Sequence, residues 1–137
     1  MKRFIDLSHT IEDGMVTYKG LPGPIICDYL SREQSRSIYA PGYEFQIGKI
    51  EMVSNTGTYV DVPFHRFADG KDLSETHIEK FAELPGIVVR ANYRDGITVD
   101  KNRFEGLSLK GKAVLIHTDW CEHWRTEKYF HKHPFLT

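Results

Sequence analysis

Residues 54–66 read Ser-Asn-Thr-Gly-Thr-Tyr-Val-Asp-Val-Pro-Phe-His-Arg, a run with a Tyr and an Asp between a Gly and a Pro and a His two residues after the Pro. Side chains alternate between the two faces of an extended chain. One face of a strand here would carry the polar set Asn55, Gly57, Tyr59, Asp61, Pro63 and His65. The other face would carry the more apolar set Thr56, Thr58, Val60, Val62 and Phe64. The alternation is typical of an ordinary half-buried strand with a polar solvent face. It also fits a strand that projects an amide, a phenol, a carboxylate and an imidazole into one pocket.

Composition excludes several classes of protein. The chain has 137 residues, a length that fits one domain and predicts burial of about two-thirds of the unfolded surface. A formal net charge of -1 argues against a nucleic-acid binder, which usually carries a strongly basic face. No stretch approaches the roughly 20 apolar residues of a membrane helix, and the N-terminus lacks the apolar run of a signal peptide. We therefore expect a soluble, cytoplasmic protein, with Cys27 and Cys121 as buried or half-buried free thiols.

Strands and short helices intermingle along the rest of the chain. Apolar and β-branched runs predict strands at residues 4–8, 25–30, 43–52, 86–93 and 113–118, and Pro85 directly precedes the fourth. Thr76 and Glu79 fit a capping box, Asp100 fits the cap of a short helix through Phe104, and residues 124–135 predict another short helix. Residues 31–39 are polar and are expected to form a loop. The pattern favours an α/β or α+β protein rich in sheet.

Residues 55–65 resemble the motif His-x-Gly-Thr-His-x-Asp-x-Pro-x-His of the cyclase family of metal-dependent hydrolases, which includes the bacterial kynurenine formamidases (arylformamidases). The motif is intact at Gly57, Thr58, Asp61, Pro63 and His65. Residues 5–9 and 115–130 resemble the family's opening strand and a later strand and helix. The resemblance implies an α/β fold with a mixed, largely antiparallel β-sheet or barrel and short flanking helices, of the swivelling β/β/α type. It implies one cyclase-like domain over 1–137 that corresponds to the N-terminal two-thirds of the family, with the C-terminal part missing.

The same resemblance implies a metal-dependent hydrolase of a small amide, arylformamidase-like, with an N-formylkynurenine-type substrate in tryptophan catabolism. His65 matches the family's catalytic histidine, and Tyr18 matches an aromatic that packs against the substrate ring. Asp61 matches a ligand of the family's zinc or manganese, but Asn55 and Tyr59 stand where the family has two further histidine ligands. A neutral amide and a phenol with a pKa of about 10 are poor ligands. We therefore expect the divalent metal to be weak or absent, and oxygen donors to favour a hard cation such as magnesium or manganese.

Several alternatives remain open at this point. In a metal-free mechanism, His65 would activate water and the Tyr59 hydroxyl would donate to the oxyanion. In a second function, the chain would be a catalytically defective family member that acts as a binding or assembly protein. His123, His131 and His133 with Cys121 could form a metal cluster, but surface histidines on a short helix are expected. The expected partners are a small-molecule substrate and further copies of the chain, because unpaired strand edges invite pairing, with no nucleic acid and no membrane.

Overall fold

The computed structural model describes residues 3–137. Within that range the secondary structure consists of six short strands, one four-residue α-helix and several 3-10 turns. The chain divides into two units, Met1–Val60 and Asp61–Thr137. The mixed α/β class predicted from the sequence is confirmed.

The first unit is built on two antiparallel strands, β1 (Ile25–Leu30) and β2 (Ile47–Glu51). Ile26 lies opposite Ile50, and the register shifts between Asp28 and Leu30, where a bulge interrupts the ladder. The predicted strand at 25–30 is confirmed, and the strand predicted at 43–52 forms over its second half. The strand predicted at residues 4–8 is wrong. These residues pair with no other strand among the described residues, and Phe4 is 92% exposed.

A short helix, α1 (Arg32–Ser35), follows β1 where a loop was expected. Ser31 and Gln34 form a capping box: the Ser31 hydroxyl accepts from Gln34 N–H at 3.2 Å, and Gln34 Oε1 accepts from Ser31 N–H at 2.9 Å. Ser35 is fully buried, donates to the Arg32 carbonyl at 2.7 Å and accepts from Phe45 N–H at 2.9 Å. These bonds satisfy helix-end donors that a loop would leave to water, so the polar run folds into one helical turn.

The second unit contains two pairs of parallel strands. β3 (Gly86–Arg90) pairs with β5 (Ala113–His117), and β4 (Thr98–Val99) pairs with β6 (Phe135–Leu136). Its buried apolar residues are Val89, Ala91, Val99 and Trp120. Because the carboxyl ends of parallel strands meet at one edge of a sheet, the segments after β3 and β5 come together beyond Arg90 and His117.

The predicted sheet architecture is corrected in two ways. Each of the three sheets among the described residues has two strands, so the predicted barrel does not form there. Two of those sheets are parallel, so the prediction of a largely antiparallel sheet is wrong. Alternation and β-branching reveal a strand, but pairing across a long crossover depends on which distant segment packs against it. The swivelling β/β/α arrangement stays a prediction.

The helical predictions are confirmed in part. Asp100 caps a 3-10 turn at Lys101–Phe104, with its carboxylate accepting from Asn102 N–H at 3.0 Å. The capping box at Thr76 is wrong, because that hydroxyl donates to the Asp72 carbonyl instead and the turn at Ile78–Lys80 has no side-chain cap. The predicted tail helix is a single 3-10 turn, Glu127–Phe130. Across residues 3–137, no helix has the length and apolar character needed to cross a membrane.

The described residues bury few apolar side chains. Val89, Ala91, Val99 and Trp120 are at most 8% exposed, whereas Phe4, Leu7 and Tyr29 are 74–92% exposed. The expected burial of two-thirds of the unfolded surface stays a prediction. Cys27 and Cys121 are free thiols, as predicted, but both are exposed rather than buried.

Candidate active site

The motif segment is not the extended strand that its alternation predicts. Residues 54–58 form bends, residues 59–62 are irregular, and Pro63–His65 form a 3-10 turn. Gly57 has φ +65°, a left-handed conformation that a strand cannot pass through. As a result the apolar face is not buried as a unit: Thr56 is buried, but Val60 and Phe64 are 53% and 57% exposed.

Gly57 fastens the motif to the N-terminal loop of the first unit. Its N–H donates to the Thr17 hydroxyl at 3.0 Å. A Cβ at this position would lie 3.1 Å from Ile11 Cγ1, so the loop packs directly against the glycine backbone. Tyr18 follows Thr17 and is 63% exposed, so its ring is open to solvent. Sequence reasoning missed Thr17 and Ile11, and the intact Gly-Thr of the motif was the signal that could have pointed to a close packing partner.

Asn55 and Tyr59 stand at two of the family's ligand positions, and both lie in the first unit. Asn55 Oδ1 accepts from the Ser54 hydroxyl at 3.1 Å, and Tyr59 is 48% exposed. In the part of the chain that the structure describes, no three His, Cys, Asp or Glu side chains group so as to hold a metal ion. A neutral amide oxygen and a protonated phenol do not replace two imidazoles. The donor set therefore does not fit the tight transition-metal site of the family.

Asp61 and His65 form a pair in the second unit. Asp61 Oδ2 lies 3.5 Å from His65 Nδ1, and Asp61 Oδ1 accepts from Val62 N–H at 2.8 Å. Pro63 opens the 3-10 turn between them, which brings residues four apart together. The two side chains are 41% and 44% exposed, so a small molecule can reach them.

The turn that holds this pair is braced by the chain that follows it. Phe64 N–H donates to the Lys71 carbonyl at 3.2 Å, and Gly70 packs so closely that a Cβ there would lie 2.7 Å from the Pro63 carbonyl carbon. The 3.5 Å separation within the pair is longer than an ordinary N–H···O hydrogen bond, so the two groups lie side by side without one. A carboxylate beside Nδ1 favours the tautomer with the proton on that nitrogen, which leaves Nε2 as the acceptor.

A second polar cluster lies beyond the carboxyl ends of β3 and β5, and sequence reasoning missed it. His117 Nε2 lies 2.9 Å from Asp119 Oδ1, Arg90 Nη1 lies 3.0 Å from His117 Nδ1, and Asn92 Nδ2 donates to Asp119 Oδ2 at 2.5 Å. Arginine has no acceptor, so His117 accepts at Nδ1 and donates its proton from Nε2 to Asp119. Both nitrogens of this imidazole are used, so the cluster fixes the loops after the two strands and offers no free base.

Glu122 joins the same two loops. It accepts a very short hydrogen bond from the Tyr93 hydroxyl, and its Oε2 lies 2.5 Å from Arg94 Nη2. The hydrogen bond from Tyr93, with help from Arg94, lowers the pKa of the Glu122 carboxyl. The same bond raises the pKa of the Tyr93 phenol.

The tail histidines do not form a metal cluster within residues 3–137. His131 and His133 are exposed, as expected. His123 is not a surface histidine: its side chain is 13% exposed, and its ring meets Tyr93 and Trp120 edge to face at 5.1 and 4.5 Å between centroids. It belongs to the aromatic packing of the second unit.

Comparisons with known proteins support the family resemblance of residues 55–65. A family model described as "Putative cyclase" matches residues 5–137, a range that runs through both units. The chain is 26% identical to the kynurenine formamidase of Bacillus cereus over 137 residues, which covers 97% of this chain and 58% of that protein. It is 28% identical to the kynurenine formamidase of Bacillus cytotoxicus with the same coverage, and 28% identical to that of Bacillus anthracis over 115 residues, 83% of this chain and 50% of that protein. The chain thus spans between half and three-fifths of the length of these relatives. With nearly all of its residues matched by the family model, the chain belongs to the cyclase family.

Proposed function

We propose that the chain takes part in hydrolysis of a small aryl amide, with an N-formylkynurenine-type formamide as the substrate class. The observation that carries the proposal is the pair formed by Asp61 and His65 at 3.5 Å in an exposed, braced turn. Relatives named kynurenine formamidase support the substrate class.

His65 and Asp61 have separate roles in this proposal. Asp61 orients the imidazole through Nδ1, and His65 Nε2 takes a proton from the water that attacks the formyl carbon. The imidazolium then returns the proton to the departing amine nitrogen as the carbon–nitrogen bond breaks, which releases formate and the free arylamine. Proton transfer of this kind contributes about 10²–10⁴-fold to the rate.

Two further residues have proposed roles in the first unit. Tyr18 would pack against the aromatic ring of the substrate, because it is exposed and its loop is fixed to Gly57 through Thr17. Tyr59 would donate its hydroxyl to the oxyanion. Full activity in a Tyr59→Phe variant would exclude the second role.

No step of the proposed reaction passes through a metal. The family's zinc or manganese would meet Asn55 and Tyr59 in place of two imidazoles, which leaves Asp61 as the one family ligand of these three. We therefore propose that any divalent cation is held weakly, and that a hard cation is preferred to zinc.

A second candidate function is a binding or assembly protein that has lost catalysis. The observation that favours it is the replacement of both ligand histidines by Asn55 and Tyr59. On this alternative the chain would bind an aryl formamide without releasing formate.

Formate release from an N-formyl arylamine tests the first proposal against the second. A His65→Gln variant is expected to lose about 10²–10⁴-fold in rate, and Asp61→Asn is expected to lose less. His131→Gln is the matched control, because it removes an exposed imidazole outside the motif. Equal rates in wild type and His65→Gln would refute the role of His65. Substrate binding with no formate release, with and without added manganese or zinc, would favour the second function.

A further inference from the structure

Gly70 packs against a peptide bond in the turn between Asp61 and His65. A Cβ added at Gly70 would lie 2.7 Å from the carbonyl carbon of Pro63 and 2.9 Å from the nitrogen of Phe64, which are the two atoms of one peptide bond. Gly70 is not among the described glycines with a positive φ. The position therefore needs a glycine for space and not for backbone conformation.

Hydrogen bonds hold the same peptide bond in place. Phe64 N–H donates to the Lys71 carbonyl at 3.2 Å. The Pro63 carbonyl accepts from Phe67 N–H at 2.9 Å, and Gly70 N–H donates in turn to the Phe67 carbonyl at 2.8 Å. The chain that returns to the turn therefore fixes this peptide bond both by packing and by hydrogen bonds.

The peptide bond lies between Asp61 and His65 in the chain, so moving it changes the gap between their side chains. A Cβ at position 70 would need about 0.7 Å more room to reach ordinary contact at 3.4 Å. Its three nearest neighbours are backbone atoms, which cannot rotate aside as the end of a side chain can. A misplacement of about 1 Å can cost about 10²-fold in rate. The 3.5 Å gap therefore depends on the absence of a side chain at Gly70.

Asp72 stabilises the returning chain directly after Lys71. Its Oδ1 accepts from Ser74 N–H at 2.8 Å, from the Ser74 hydroxyl at 2.7 Å and from Glu75 N–H at 3.1 Å. Asp72 N–H donates back to Glu75 Oε2 at 3.1 Å. This reciprocal arrangement is that of a capping box, and it fixes the backbone that presents the Lys71 carbonyl to Phe64.

We propose that Gly70 and Asp72 are positioning residues for His65. Gly70 sets where the turn lies, and Asp72 fixes the chain that holds the turn. Neither residue touches the substrate, and both act through the peptide bond beneath Gly70 on the separation of Asp61 and His65. The inference rests on the proposed function for its effect on rate, but its effect on the imidazole is measured without substrate.

Gly70→Ala in the full chain is the direct test, with two readouts. Nitrogen-15 NMR reports how the proton divides between Nδ1 and Nε2 of His65, and formate release from an N-formyl arylamine reports kcat and KM separately. We expect the variant to lose the preference of His65 for the Nδ1–H form and to lose about 10–100-fold in kcat, with KM within about twofold of the wild type. A folded variant with the wild-type proton distribution at His65 would overturn the inference. If the wild type releases no formate, the proposed function fails, and the proton distribution alone decides this inference.

Two variants control for the added methyl group and for general loss of stability. Gly86→Ala also adds a Cβ at a described glycine without a positive φ, but that Cβ would meet only Leu115 Cδ1, at 3.9 Å. Val89→Ala removes buried methyl groups in β3, outside the turn. Both should keep the wild-type proton distribution at His65 and the wild-type kcat. A change in Val89→Ala equal to that in Gly70→Ala would show a general effect of stability and overturn the inference.

Two substitutions of Asp72 test the inference without crowding the turn, and they decide it if Gly70→Ala does not fold. Asp72→Ala removes the acceptor of three hydrogen bonds, so it should change the proton distribution at His65 and lower kcat in the same direction as Gly70→Ala. Asp72→Asn keeps an oxygen acceptor at Oδ1 and should stay within about twofold of the wild-type kcat. A wild-type proton distribution in Asp72→Ala, or equal changes in Asp72→Ala and Asp72→Asn, would refute the role of Asp72.

Discussion

Replacing Gly57 by alanine tests how the motif is held against the N-terminal loop. The residue has φ +65°, and a left-handed conformation costs a non-glycine residue about 1–2 kcal/mol. The added Cβ would also lie 3.1 Å from Ile11 Cγ1, and forcing a side chain aside in a packed site costs about 1–3 kcal/mol. Together the two effects predict a loss of about 2–5 kcal/mol in the free energy of unfolding. That is a large share of the roughly 5–15 kcal/mol typical of a folded domain.

Gly14→Ala is the matched control, because Gly14 has φ +69° and a Cβ added there would meet nothing within 4 Å. It should lose the conformational part alone, about 1–2 kcal/mol. Guanidinium unfolding followed by far-ultraviolet circular dichroism measures both variants. The double variant Gly57→Ala/Ile11→Ala removes the crowded Cγ1, so the two substitutions should be less damaging together than the sum of their separate effects. Equal losses at Gly57 and Gly14, or strict additivity with Ile11→Ala, would refute the packing argument.

Three other predictions concern stability. Glu122→Gln should make the free energy of unfolding fall less steeply as the pH drops. The folded state lowers the pKa of the Glu122 carboxyl, which stabilises the fold fully above the ordinary pKa of 4.5. That stabilisation is lost as the pH falls through the lowered pKa of the folded state. Unfolding midpoints measured across acid pH check this, and an acid limb identical to that of the wild type would contradict it. Ser31→Ala removes the acceptor of the capping box and should cost about 1 kcal/mol in chemical unfolding, whereas Ser31→Asn should cost little. Val89→Ala removes two buried methyl groups from the second unit's core and should lower the free energy of unfolding by about 1–3 kcal/mol. An unchanged denaturation midpoint would show that Val89 is not part of that core.

The strands were the most predictable part of the fold. The β-branched and apolar run at 25–30 forms β1 over its full length, and those at 86–93 and 113–118 form β3 and β5 with shortened C-terminal ends. Their pairing was not predictable in the same way, because β3 and β5 are parallel and a parallel partner is chosen by the crossover between them. Residues 4–8 have the local pattern of a strand but pair with no other strand among the described residues. A strand forms only where its backbone N–H and C=O groups find hydrogen-bond partners.

The candidate site was predicted by residue type but not by shape. In the predicted strand, Asp61 and His65 would share a face but lie about 13 Å apart along the chain. The observed 3-10 turn at Pro63 brings their side chains to 3.5 Å instead. Pro63 was the sequence signal for this break, since proline seldom continues a strand interior. The polar cluster around Asp119 had no local signal, because the strand ends that assemble it are set by the parallel pairing of β3 and β5.

In the proposed site, Asp61 holds His65 in the tautomer that leaves Nε2 free to accept a proton. Nitrogen-15 NMR of the imidazoles, at a pH where His65 is neutral, reports which ring nitrogen carries the proton. His131, which is exposed, serves as the reference within the same sample. We predict that His65 is shifted toward the Nδ1–H form relative to His131, and that Asp61→Ala removes the shift. A wild-type His65 with the same proton distribution as His131, or a shift that survives Asp61→Ala, would contradict this role of Asp61.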